Sequence, residues 1–315
     1  MAGNKRQSMG ILAALSSATL LGLAPVFGRM AIIMGFSPLA VVALRTSLAA
    51  GLMFAIMAIF RRKYLYIFPV GLAGCFLAGI INGFGSILYY MALGQLPASL
   101  GQLLYSLYPL FVAVFTFLDK QPVSRLTMIR VGVASLAVFL LTSADGSHAP
   151  LSAVLMMVGS AALYALHIPI NQRVLYEIPA PTVTLYTLLA MSAVTVPFYL
   201  IFDRQLPPGG TSWLPLFLLT LVTFASRLTL FLGIKNIGGM QAAMLGMAEL
   251  FITIVISHFL LGEMLSMAQL LGAVILGISI TMVALDKQDP THRHPKGGWL
   301  SWIHPPEIKP WSLQD

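Results

Sequence analysis

The sequence predicts an all-α integral membrane protein: ten transmembrane helices arranged as two inverted five-helix repeats. Three observations lead there. Hydrophobic residues make up 58% of the chain and charged residues only 9%, against about 25% charge in a soluble domain, and the mean hydropathy is +0.89. The apolar residues fall into ten segments, each bounded by charge or turn chemistry and long enough for a bilayer. The first five segments also match the second five at a nearly constant offset.

In chain order the segments cover residues 10–34, 38–60, 66–93, 98–118, 126–142, 150–172, 179–202, 213–234, 239–261 and 266–285. Lipid offers no partner for backbone N–H and C=O groups, so spans of this length are helices. Their connections are short, and consecutive helices are expected to be neighbours. Residues 10–142 form the first repeat and 150–285 the second, with 1–9 a cytoplasmic N-terminus. The opening MAGNKRQ runs directly into a full-length span, so no cleavable signal is expected. The tail 286–315 is polar, basic and Pro-rich, with Trp299, Trp302 and Trp311. Disorder in the cytosol and a surface segment on the membrane are both open for it. Cys75 is the sole cysteine, which excludes an intrachain disulfide and a multi-cysteine metal site.

Lys and Arg set the orientation. Lys5, Arg6, Arg61, Arg62, Lys63, Lys120, Arg125, Arg130, Arg173, Lys235, Lys287, Arg293, Lys296 and Lys309 all fall on one side, against Arg204 alone on the other. Both termini are therefore expected in the cytoplasm. The formal net charge of +8 is explained by topology, and no nucleic acid is implied. Arg29, Arg45 and Arg227 lie within spans, the first two in outer parts where snorkelling or capping is expected, with an outward-facing vestibule for anions as the alternative.

At an offset of 140, LFVAVFTFL at Leu110 meets LFITIVISH at Leu250, and Gly132 meets Gly272. At 144, Ser16, Ala18, Pro25 and Arg29 meet Ser160, Ala162, Pro169 and Arg173. Each repeat holds an odd number of helices, so the second copy enters the membrane upside down. Such repeats place a substrate site near the midplane and permit alternating access. Prolines 25, 109, 169, 197 and 215 lie midspan; the repeat relates Pro25 to Pro169, so a kink there is either a hinge or cavity-opening feature of the repeat unit or proline simply tolerated in a membrane helix.

The paired fourth and ninth spans, LPASLGQLLYSLYPLFVAVFTFL at Leu96 and IGGMQAAMLGMAELFITIVISHFLLGE at Ile237, resemble EamA-type members of the drug/metabolite transporter superfamily. So do the opening LAALSSATLLGLAPVFGRMAI with SPLAVVALR, and the Gly-Glu turn leading into MLSMAQLLGAVILGISI. The resemblance covers Gly10 to Leu285. It departs in the first repeat, where Pro122-Val123 stands in place of Gly262-Glu263. It implies carrier-mediated movement of small metabolites, often export of amino acids or related compounds.

Glu249 is the leading candidate for function. A carboxylate at mid-membrane costs at least ~2.5 kcal/mol on insertion scales and generally faces a cavity or partner. With Ala242, Gly246, Thr253 and Ser257 it forms a small, polar stripe, which handles substrate or a proton, or else belongs to a structural ion pair. The equivalent stripe of the fourth span is Gln102, Ser106, Pro109 and Ala113. At ~1.5 Å per residue, Arg227 and Glu249 lie ~12 and ~15 Å from the same end of adjacent helices and can meet. The pair would open and close during transport or simply neutralise two charges; snorkelling of Arg227 is the third option.

Asn82 either binds substrate or serves as packing glue beside the small-xxx-small pair Gly79 and Gly83. Tyr105 and Tyr108 flank Pro109 and are candidate pocket walls. His167 either lines the pocket or is a satisfied histidine of the bundle. The expected function is secondary transport of a small organic metabolite, outward, by alternating access, with a proton as the candidate coupling ion and no cofactor. A facilitative channel and a non-transporting lipid-handling or structural protein are the alternatives. The lipid bilayer is the surrounding partner, and a monomer suffices for this reading. No P-loop, HExxH or partnered GxSxG points to an enzyme.

Overall fold

The computed structural model describes residues 2–119 and 150–263, together with helical positions 129, 132, 133, 267, 271, 274 and 275. The fifth and tenth spans, apart from those positions, and the tail lie outside the described residues. Among the described residues there is no strand, and eight segments are long and apolar enough to cross a membrane.

The helices are α1 (Ala2–Ile33), α2 (Pro38–Phe60), α3 (Pro69–Leu93), α4 (Ala98–Tyr105), α5 (Tyr108–Leu118), α6 (Leu151–Glu177), α7 (Ala180–Phe202), α8 (Leu214–Ile237), α9 (Gly239–Gly246) and α10 (Ala248–Leu261). A short 3-10 turn, Arg62–Leu65, joins α2 to α3. Helix starts follow local chemistry. Ser37 caps α2 by accepting from Ala40 N at 3.1 Å, with Pro38 next in the chain, and the first turn is where proline costs no hydrogen bond. Pro109 and Pro215 likewise sit in the first turns of α5 and α8. Pro215 is therefore a helix start, Pro109 starts α5 at a break within the fourth span, and Pro25, Pro169 and Pro197 lie inside helices. Gly238, at φ +86°, turns α8 directly into α9 through a conformation that side-chain-bearing residues rarely adopt.

Consecutive helices are not the main neighbours, contrary to expectation. The most extensive packing is α1 against α8 and α3 against α6, so each half lays helices on the other half. Short connections hold only the helix ends together, and small residues decide which lengths can approach. A Cβ on Gly233 would stand 3.2 Å from the Ala14 backbone of α1, and one on Gly79 would stand 2.7 Å from Thr187 O of α7. The packing is reciprocal: Ser17 of α1 donates to Ser226 O of α8 at 3.0 Å, and Ser160 of α6 donates to Gly85 O of α3 at 2.7 Å. Large apolar side chains such as Phe54, Phe117, Phe217 and Phe259 point outward, as a lipid-facing surface requires.

The fourth and ninth spans are both broken, at positions 140 residues apart. Leu107 N bonds back three residues to Leu104 O at 3.3 Å, and Met247 N does the same to Met244 O at 3.3 Å. Three residues on, Leu110 N meets Leu107 O at 3.0 Å and Leu250 N meets Met247 O at 3.2 Å. Proline accounts for a break only in the first, where Pro109 has no N–H to give. In the second, Ala243 O loses its usual helical partner and accepts from the Tyr108 hydroxyl at 2.9 Å instead.

The Gly-Glu turn ending α10 has a mechanical role. Gly262 takes the left-handed conformation, φ +67°. Glu263 then reaches α4, accepting from Ala98 N at 2.8 Å, Ser99 N at 2.9 Å and Ser99 Oγ at 2.6 Å. A carboxylate there satisfies orphan donors and suits the positive helix end. At the equivalent start of α9 the acceptor is a neutral amide: Gly239 N donates to Gln172 Oε1 at 2.8 Å.

Candidate functional site

The two breaks bring side chains from both halves to one cavity of about 50 Å³, room for a few water molecules. Its polar wall comprises Arg45, Asn82, Gln102, Arg227 and Glu249, and Tyr89, Tyr90, Tyr105 and Tyr164 supply rings. Glu249, in the first turn of α10, is buried. Its placement depends on Gly22 of α1, where a Cβ would come within 2.7 Å of Glu249 O. Thr253 secures the same turn by donating to Gly22 O at 2.8 Å.

Arg227 and Glu249 share this cavity but form no ion pair. Arg227 is held by neutral groups. With the Asn82 amide oriented so that an acceptor faces the guanidinium, Asn82 Oδ1 accepts from Nη1 and Nη2, both at 2.9 Å. His167 Nε2 lies 3.3 Å from Nη1, and the guanidinium stands over the Tyr164 ring, 5.5 Å from its centroid. Since His167 Nδ1 meets Tyr164 O, the proton belongs on Nδ1, leaving Nε2 free to accept. These acceptors draw Arg227 towards α3 and α6, away from Glu249. Glu249 Oε1 and Gln102 Nε2 are buried beside each other, and neither reaches any other hydrogen-bond partner.

Of the residues singled out from sequence, Glu249, Arg227, Asn82, Gln102 and Tyr105 line the cavity. Tyr108 and His167 do not. Tyr108 bonds across the second helix break, and His167 stands behind Arg227 as a satisfied histidine of the bundle. Tyr105 stacks with Tyr89, Tyr108 and Tyr164 at centroid distances of 5.0 to 5.6 Å, so the rings form one continuous wall.

Arg45 is the residue that sequence reasoning missed. It is buried and lines the cavity, where snorkelling or capping was expected. Nη1 donates to Thr223 Oγ1 at 3.1 Å, Nη2 donates to Ser86 Oγ at 3.2 Å, and the guanidinium lies over the Tyr90 ring at 4.6 Å. Its depth was the available signal: seven residues beyond Pro38, or ~10 Å into the span. The other two deep arginines serve structure. Arg29 caps α3 through Leu93 O and Gly94 O at 2.8 and 3.0 Å. Arg173, expected as a cytoplasmic charge, is buried against Asp119 at 2.8 Å.

Comparison with known proteins accords with this geometry. The model of the EamA-like transporter family matches twice in tandem, over residues 8–143 and 151–285. An uncharacterized transporter of Synechocystis sp. is 24% identical over 216 residues, a match covering 65% of this chain and 64% of that protein, a little under two thirds of its length. A crystal structure of a protein 18% identical has the same fold, with a TM-score of 0.72 over 89% of this chain and 99% of that one. The tandem family match covers most of the chain, and the chain therefore belongs to the EamA-like transporter family of the drug/metabolite transporter superfamily.

Proposed function

We propose that the protein is a secondary transporter exporting small organic metabolites such as amino acids by alternating access, with Glu249 binding a proton or the substrate's amine. In this reading the bundle has ten spans in two inverted five-helix repeats, 10–142 and 150–285, with both termini in the cytoplasm and the chain in the inner membrane. One observation carries it: two helix breaks 140 residues apart, from opposite halves, flank a buried cavity holding an unpaired carboxylate. The tandem family match and the reciprocal α1–α8 and α3–α6 packing support the repeat. Broken spans of this kind present backbone ends and polar groups to substrate at mid-membrane.

The test is counterflow in proteoliposomes. Purified protein loaded with unlabelled amino acids should accumulate labelled substrate, saturably, and Glu249→Gln should abolish this while keeping the fold. Uptake that never saturates would indicate a channel. No exchange of any solute by well-folded protein would favour the non-transporting alternative.

A further inference from the structure

Among the described residues, four buried side-chain polar atoms have no hydrogen-bond partner: Arg45 Nε, Gln102 Nε2, Asn171 Oδ1 and Glu249 Oε1. Three of the four belong to residues lining the one cavity described above. Native folds leave few such atoms, because each forfeits the interaction it had with water. Their concentration here defines the complement of a ligand. Two are donors, one of them cationic, and the third is a carboxylate oxygen. A ligand carboxylate would suit the donors of Arg45 and Gln102, and a ligand ammonium would suit Glu249 Oε1.

Charge carries the inference further. The wall holds two guanidiniums and one carboxylate. Arg45 is met by two hydroxyls, and Arg227 by an amide and an imidazole. Neither has an ion-pair partner among the described residues. Arginine stays protonated in proteins, so with Glu249 ionised the empty site carries a net positive charge that a neutral zwitterion leaves uncompensated. Buried charge is retained at low cost only when paired. Resting on the transporter reading above, we infer that the substrate is an acidic amino acid: one ammonium for Glu249, one carboxylate for Arg45 and Gln102, and a second carboxylate for Arg227. Tyr89, Tyr90, Tyr105 and Tyr164 line the same cavity, and aspartate, the shorter acidic amino acid, serves as the probe.

The experiment compares aspartate, asparagine and succinate in proteoliposome counterflow and in melting of the full-length protein in detergent. Asparagine is near in shape but lacks the second charge; succinate lacks the amine. Aspartate should bind at least ~10-fold more tightly than either, or ~1.4 kcal/mol, because each competitor leaves a buried charge unpaired. Arg227→Gln should bring asparagine level with or ahead of aspartate, and Arg227→Lys should keep the aspartate preference at lower affinity. If Arg227→Gln does not fold, the wild-type comparison and the lysine variant still decide. Asparagine or other neutral amino acids exchanging as well as aspartate would overturn the charge argument and leave the transporter reading standing. Succinate matching aspartate would overturn the ammonium–Glu249 contact. Failure of every solute, with protein that melts cooperatively, would instead bring down the transporter reading itself.

Discussion

The Tyr108 hydroxyl donates to Ala243 O at 2.9 Å, and so joins the break in one span to the break in the other. The carbonyl it meets is the one that the second break leaves without its helical N–H. The close approach also requires Gly246, where a Cβ would lie 2.1 Å from the same hydroxyl oxygen. The bond therefore fixes the relative placement of Gln102 and Glu249, which flank the two breaks.

Tyr108→Phe removes that donor and should destabilise the protein by about 1 kcal/mol. Gly246→Ala should cost more, because the added methyl has no space while the hydroxyl is present. Thermal unfolding of both variants and of the double variant checks this. The double variant should lose less than the two single losses added together, since removing the hydroxyl makes room for the methyl.

Asn82→Asp replaces the neutral acceptor of Arg227 with a carboxylate. This should raise the melting temperature, because a buried cation gains a charged partner, and should lower transport by satisfying that cation permanently. Asn82→Leu should do the opposite to stability, by about 2 kcal/mol or more, since it leaves the guanidinium underbonded. Parallel melting and counterflow measurements separate the two effects.

Asp119 and Arg173 form a buried pair, with Arg173 Nε and Nη2 at 2.9 and 2.8 Å from one carboxylate oxygen. Asp119→Asn should cost about 3–5 kcal/mol, because it removes the charged half of a buried pair. Replacing both residues with apolar ones of similar size should cost much less. Melting temperatures of the single and double variants test this.

Glu263→Ala should weaken the start of α4 by about 1 kcal/mol, through loss of a charged cap. Glu263→Gln should be intermediate, since an amide has only one oxygen to accept with and brings donors of its own. Hydrogen exchange at the Ala98 and Ser99 amides reads the effect directly and should rise first in the alanine variant.

Much of the spans and part of the site were legible in the sequence, for definable reasons. A carboxylate or arginine inside an apolar segment is conspicuous because of its cost in lipid, and this singled out Glu249 and Arg227. The stripe of Gln102 and Ser106 followed from the offset to Glu249. Arg45 was missed because an arginine nearer a span end has a cheap alternative in snorkelling, and only the arrangement of Ser86, Thr223 and Tyr90 around it shows that it turns inward. Tyr108 was a candidate pocket wall, and His167 was open between lining the pocket and being a satisfied histidine of the bundle. Their neighbours commit them instead to Ala243 O and to Arg227.

By itself, the sequence determined that the chain is a helical membrane protein, where most of its spans run, and which carboxylate lies within an apolar span. These are consequences of transfer free energies and backbone satisfaction, which act residue by residue. Tertiary structure alone decided that α1 lies on α8 and α3 on α6, that the second broken span breaks without a proline, and that Arg227 is held by Asn82 and His167 rather than by Glu249. Those outcomes depend on which small residues face one another and which acceptor lies nearest, and such distances arise only when helices far apart in the chain are packed together.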